Sequence, residues 1–330
     1  MSKQLQSQRL RSFAAMVKTQ PIWIVLSVIF VLFAITANGF LRPINLSNVL
    51  LHSSITGIMA LGMTCLMLTG NFDLSVGSVM ALAAVIVISL QTTVGIPLAI
   101  VAAVVVGALL GLLNGVLVSI VGINAFVVTL GAMIGLRGVV YFLTGEHPII
   151  GENIAFSQLG NSRVGIIPIN FLIFLALLIL LRIMLTKTVH GRNTYAIGGN
   201  IEAARNAGIP VAKHVTINFV ITSATAAMAG VVLASRLNTA TPNMGLRYEL
   251  LVISIVVLAG TKLRGGFGGV IRTLGGVLVI GIIQNGLDLL GVQIYYQILV
   301  MGLLLILAMI LDRVFDPLTH LKPQANKQGG

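Results

Sequence analysis

The sequence predicts an all-α membrane protein, a polytopic bundle of about ten transmembrane helices with both termini in the cytoplasm. Three observations predict it. Of 330 residues, 57% are hydrophobic and only 8% charged, with a mean hydropathy of +1.05, whereas soluble domains carry about 25% charged residues. The apolar runs last about 18 to 25 residues, the length a helix needs to cross a hydrocarbon core of about 30 Å, and they lack the short alternation of a closed barrel. The basic residues gather at the ends of those runs, as the positive-inside rule requires.

The chain opens on a polar, basic tail, residues 1–20, with Lys3, Arg9, Arg11 and Lys18. Ile22–Leu41 is too long for a signal-peptide core and lacks a convincing cleavage site, so it reads as a retained first span. Further spans are expected at Val49–Thr69, Val76–Val94, Pro97–Val121 and Ala125–Leu143. A loop containing Gly145, Pro148, Gly151, Gly160 and Pro168 follows. Beyond it come Ile169–Leu185, Val215–Ala234, Glu249–Gly260, Val270–Leu290 and Ile294–Leu311, of which Glu249–Gly260 is the shortest. Together, residues 21–311 form the membrane domain, and 312–330 a second cytoplasmic tail. Small residues such as Gly107 to Gly115 suit close helix packing in lipid.

Charge tests this topology. With ten spans, Lys3, Arg9, Arg11, Lys18, Arg182, Lys187, Arg192, Arg205, Lys213, Lys262, Arg264, Arg272, Arg313, Lys322 and Lys327 lie inside. Arg42, Arg163, Arg236 and Arg247 lie outside, and Arg137 falls within a span. Dropping one span would reverse every later loop and spoil the bias. The net charge of +12 is thereby explained without a nucleic-acid partner. Cys65, the only cysteine, lies in an apolar run, which excludes a disulfide framework and a cysteine-based metal site. Neither HExxH nor a phosphate-binding GxxxxGK[ST] occurs. The chain is therefore expected to be neither an enzyme nor a holder of cofactor or metal. His52, near the outer end of a span, reads as a packing or hydrogen-bonding group.

Polar residues inside the apolar runs are the functional candidates. Asp73, in Asn71–Ser78 (NFDLSVGS), is the only carboxylate before Glu146. Asp73 either faces an aqueous pathway or caps the following helix at the membrane surface, a role for which Ser75 competes. Gln284 and Asn285 offer amides to a hydroxyl-rich ligand, or hydrogen bonds between helices. Gln284 and Asp288 share a face at i, i+4, and Asp288 is a candidate ion-pair partner for Arg137, although Arg137 can also snorkel outward. Gly57–Ser78 and Ile253–Gly269 each run from apolar residues into a glycine turn, a layout that either an internal repeat or chance produces.

The longest polar interruption is Thr186–His214. Within it Glu202–Gly208 reads as a short helix ended by Gly208 and Pro210. So short a helix is marginal alone and needs something to pack on, for which a partner protein is the simplest candidate; a solvated loop is the alternative.

These pieces, NFDLSVGS at 71–78, TLGAMIGLRG at 129–138, HGRNTYAIGGNIEAARNAGI at 190–209, YELLVISIVVLAGTKLRGG at 248–266 and GIIQNGLDLLGV at 281–292, resemble the ribose-type permeases, the membrane subunits of bacterial ABC importers for monosaccharides. The likeness covers residues 44–312. It implies a location in the bacterial inner membrane and partners in cytoplasmic ATP-binding subunits, a second permease subunit and a periplasmic substrate-binding protein. ATP would sit on the partner. The family's coupling contact maps onto 186–214, with Gly191, Arg192, Glu202, Ala203, Ala204, Arg205 and Gly208 meeting the ATPase; Asp73, Ser75, Gln284 and Asn285 are the pathway candidates on the reading of the polar residues above. This chain departs from the family's usual pattern at Asn71, Phe72, Leu251 and Lys262. Alternative readings are an ABC permease for an amino acid or other small polar solute, or an ion-coupled transporter. The last needs intramembrane carboxylates, and only Asp73, Glu249 and Asp288 are on offer, all near expected span ends.

Overall fold

The structure is a computed structural model that describes residues 22–314; the expected tails, 1–20 and most of 312–330, lie outside the described residues. Each of the ten apolar runs contains a helix. These are α1 (Ile22–Thr36), α2 (Pro43–Met67), α3 (Val76–Leu90), α4 (Ile96–Ser119) and α5 (Ala125–Thr144). After them come α7 (Ile169–Lys187), α10 (Val211–Leu237), α11 (Tyr248–Leu258), α12 (Val270–Leu289) and α13 (Ile294–Val314). Among the described residues, six of them, α2, α4, α5, α7, α10 and α12, are long and apolar enough to cross a membrane. At 1.5 Å per residue, α3 and α11 span only about 22 Å and 16 Å, short of a hydrocarbon core of about 30 Å. Each of the two follows a non-helical stretch that runs into the protein interior. The Asp73 break therefore lies inside the fold and not at its surface, for Asp73 and Ser75 are fully buried.

The expected loop before α7 is more ordered than its glycines and prolines suggest. It holds β1 (Ile149–Ile150), α6 (Ile154–Asn161), β2 (Arg163–Val164) and β3 (Ile167–Pro168). Strand β1 pairs antiparallel with β4 (Thr239–Ala240), and β2 pairs with β3. Asn153 starts α6 as an N-cap, its side chain accepting from the Ala155 amide at 3.0 Å. Gly160 lets α6 lie on the end of α10, because a Cβ there would overlap the Arg236 amide.

Helices α2 and α10 form the centre. Both bury residues on every side because both are surrounded by protein, and most of the polar side chains they carry are buried with the apolar ones. Helix α4 lies along α10 through Gly107, Gly111 and Gly115, spaced one turn apart. A Cβ on Gly111 would fall 2.5 Å from the Phe219 carbonyl, and one on Gly115 2.8 Å from the Thr216 Cα. The expected small-residue interface is thus present. Hydrogen bonds secure α2 against antiparallel α12: Asn45 and Asn285 exchange amide bonds at 2.8 and 2.9 Å, and the Thr64 and Thr273 hydroxyls meet at 2.7 Å.

The alternation of helix ends brings matching connections together. At one end β1 meets β4, and Arg163 donates to Asn48 at 3.1 Å. At the other end Ser119 meets Thr216 at 2.8 Å and Tyr195 donates to the Gly268 carbonyl at 3.1 Å. The 186–214 segment and the 261–269 loop thus share one end, as the charge pattern demands.

Overpacking the α4–α10 seam should be costly. Gly111→Leu is expected to destabilise the fold by about 3 kcal/mol or more, read as a lowered midpoint in thermal unfolding of the detergent-solubilised chain. Gly131→Leu on α5, where a Cβ has open space, should leave the midpoint unchanged.

Candidate coupling and pathway sites

The 186–214 segment is two helices, not one. Thr188 caps α8 (Val189–Gly199), its hydroxyl oxygen accepting from the Gly191 amide at 3.2 Å while donating to the Met184 carbonyl at 2.6 Å. Asn200 then caps α9 (Ile201–Asn206), accepting from the Ala203 amide at 2.9 Å. The expected short helix around Glu202 is present, and Gly208 at φ +77° turns the chain toward α10. Helix α8 is the addition. Three glycines in eleven residues read as a broken loop, yet Gly191 and Gly198 are points of close packing.

The candidate coupling residues divide into two groups. Arg192, Glu202, Ala203, Arg205 and Gly208 are exposed. Gly191 and Ala204 are buried and therefore position the segment without being free to touch a partner. A Cβ on Gly191 would overlap the Leu185 carbonyl. Ala204 packs into a small apolar cluster with Leu66, Ile197, Val211, Val215 and Phe219. One face of α9 is thereby fixed to α2 and α10, which leaves Glu202, Ala203 and Arg205 presented outward.

Helix α8 also touches the first membrane break. The Gly266 amide donates to the Leu68 carbonyl at 2.9 Å, at the end of α2. A Cβ on Gly198 would overlap both that carbonyl and the Gly266 amide. One on Gly265 would stand 2.6 Å from the Gly70 amide and 2.9 Å from the Gly198 Cα. Three backbones therefore converge with no side chain between them. The two stretches noted for their shared layout, 57–78 and 253–269, meet directly at this junction.

From Gly70 the chain runs inward to Asp73. Its Oδ1 accepts from the Ser75 amide at 2.8 Å and the Ser75 hydroxyl at 2.6 Å, and its Oδ2 accepts from the Ser223 hydroxyl at 3.3 Å. Asn114 donates to the Ser75 Oγ at 3.1 Å. Asp73 is thus the turn-forming residue ahead of α3, and Ser75 is the N-cap position without a side-chain cap of its own. Both lie in the interior beside α4 and α10. Asn114 stands five residues, about 7 Å, inward of Ser119.

From the opposite end, residues 241–247 run in to meet α3. Gly77 and Gly245 touch backbone to backbone, and a Cβ on Gly77 would lie 2.6 Å from a Glu249 carboxylate oxygen. Glu249 thus joins the site. Its rarity, one of eight carboxylates in the chain, was the available signal. Arg137 holds this stretch, its Nη1 donating to the Pro242 and Met244 carbonyls at 2.8 Å each. The candidate Arg137–Asp288 ion pair is not formed, and Asp288 lies exposed at the surface, the alternative reading. Asp288 instead accepts from Gln297 at 2.7 Å. Asn285 is engaged by Asn45, so the helix-to-helix reading holds for it; Gln284 beside it is half-buried and is not brought to the Asp73 cluster. The Arg236 guanidinium lies within hydrogen-bond distance of the His52 ring, Nη1 3.3 Å from Nδ1 and Nη2 3.1 Å from Nε2.

Residues 45–309 match the family model described as the permease component of the branched-chain amino acid transport system. The chain is 38% identical over 313 residues to the ribose import permease protein RbsC of Bacillus subtilis, covering 94% of this chain and 97% of that one. It is 37% identical over 293 residues to the L-arabinose transport system permease protein AraH of Escherichia coli, covering 88% and 89%. To the D-allose transport system permease protein AlsC of Escherichia coli it is 34% identical over 295 residues, covering 88% and 90%. No solved structure matches. On this footing the chain, a multi-pass membrane protein, belongs to the ribose-type permease family of ABC transporters.

Proposed function

We propose that the chain forms the translocation pathway for a monosaccharide in a bacterial inner-membrane ABC importer, moved by ATP-binding subunits that bear on α8 and α9. Relatives named for ribose, L-arabinose, D-allose and galactose support a sugar as solute. The observation that carries the coupling half is the glycine junction. It ties an exposed, charged helix pair to the membrane break that leads to Asp73. In this reading ten helices alternate across the bilayer with 186–214, 261–269 and both termini in the cytoplasm. A second permease subunit completes the pathway and a periplasmic binding protein delivers the solute. Nucleotide binding favours one of two states of the partner subunits, and that differential affinity tilts α8–α9 with whatever is packed to them.

The family description favours one second reading, an amino acid as solute. Uptake into proteoliposomes holding the chain with its ATPase and binding protein decides between them. ATP-dependent accumulation of a pentose or hexose, with none of leucine, is expected. Leucine uptake would select the second reading, and sugar uptake independent of hydrolysis would overturn the ABC mechanism.

In that assay Ala203→Trp, on the exposed side of α9, should lower sugar transported per ATP about tenfold while the chain stays folded and inserted. Asp73→Asn keeps an acceptor for the Ser75 amide and should retain most stability. Asp73→Leu leaves the Ser75 amide and hydroxyl without that acceptor in the interior and should cost about 2–3 kcal/mol, measured by thermal unfolding.

A further inference from the structure

Helix α8 and the start of α10 present matched polar faces. On α8 these are His190, Asn193 and Thr194, spaced i, i+3, i+4, and on α10 His214 and Asn218, spaced i, i+4. Their side chains form one continuous chain of contacts. Asn193 Nδ2 meets His214 Nε2 at 2.9 Å, His214 Nδ1 meets His190 Nδ1 at 2.7 Å, and His190 Nε2 meets Asn218 Oδ1 at 3.0 Å. Asn218 Nδ2 then donates to Thr194 Oγ1 at 3.2 Å. Asn218 and Thr194 are fully buried and His214 nearly so.

Valence fixes the protons. With the amides oriented this way, Asn193 donates to His214 Nε2, His214 Nδ1–H donates to His190 Nδ1, and His190 Nε2–H donates to the Asn218 carbonyl oxygen. Both imidazoles are neutral, and each has used its single lone pair. A proton added at His190 Nδ1 would face the His214 N–H, and one added at His214 Nε2 would face the Asn193 amide N–H. Turning the Asn193 amide over accommodates one extra proton but never two. The charged residues of the elements packed here are Arg182 and Lys187 on α7, Arg192 on α8, Glu202 and Arg205 on α9, Lys213 in the first turn of α10 with Arg236 at its far end, and Lys262 and Arg264 in the 261–269 loop. The single carboxylate among them, Glu202, is exposed.

We propose that this buckle is the positioning device of the coupling segment: His190 and His214 close the 190–218 loop so that α8, α9 and the first turn of α10 move as one body, and acid opens it. The proposal rests on the coupling reading above and adds to it the residues that make the segment rigid. Closed, the buckle carries a push on α9 into both α10 and the glycine junction. Open, α8 loses its polar tie to α10 and the segment is held to α10 through the apolar cluster at Ala204 alone, so less of the push is carried.

The test uses the full chain in lipid nanodiscs with Ala196→Cys spin-labelled on the exposed side of α8 and the buried Cys65 left in place. Opening takes a second proton beside the first, so label mobility should rise below the usual histidine range, between about pH 6.5 and pH 4.5, and His214→Phe should be mobile at both. A line shape unchanged across that range in the otherwise unaltered chain overturns the buckle, whatever the chain transports, and needs no variant of the pair to fold. In the reconstituted transporter, sugar moved per ATP should fall about threefold or more over the same range. A label that loosens while that ratio stays constant overturns the positioning role. Loss of ATP-driven uptake at every pH would count against the transport reading instead, while the label still decides the buckle.

Discussion

The close approach of three backbones at Gly70, Gly198 and Gly265–Gly266 is the constraint on which the rest of the structure depends. Backbone contact of this kind has no flexible side chain to absorb displacement. A Cβ on Gly198 would already overlap the Leu68 carbonyl and the Gly266 amide, so movement of α8 is movement of its neighbours. The hydrogen bond from Gly266 to Leu68 fixes the register of the contact. Packed interiors deform little and switch between discrete arrangements, which gives the junction the character of a rigid link between a solvent-facing helix pair and a buried break.

On the membrane side the governing rule is that polar groups in an apolar medium must find partners within the protein. The broken stretches obey it by different means. At 71–75, Asp73 supplies the acceptors, and Ser75, Ser223 and Asn114 complete the set. At 241–247, Arg137 supplies the donors, taking the carbonyls of Pro242 and Met244. The 241–247 stretch then touches the first turn of α3 at Gly77 and Gly245, just beyond the 71–75 break.

Much of this was legible from periodicity and punctuation. The apolar runs located the helices, Gly208 marked the turn beyond α9, and the Gly107–Gly115 series named its interface. What stayed hidden depends on tertiary context. Helix α8 was obscured because glycine signals flexibility in sequence, whereas here Gly191 and Gly198 serve close packing. Helix α6 was obscured by the glycines and prolines around it. The Arg137–Asp288 pair was one candidate among several, and Arg137 went to two carbonyls instead, because guanidinium donors are satisfied as well by carbonyls as by a carboxylate and sequence does not say which backbone comes near. Asp73 kept two readings open for a related reason: its turn-forming role is local, but its depth is set by α4 and α10.

The central claim, that the junction transmits motion from α8–α9 to the membrane break, is tested most directly at Asn71, which is half-buried in that break. Asn71→Cys is labelled with a thiol reagent in the assembled transporter with and without nucleotide, in the parent and in Gly198→Ala. The account predicts that nucleotide changes the labelling rate in the parent and that Gly198→Ala abolishes the change while nucleotide still binds. An equal nucleotide-dependent change in both would contradict it.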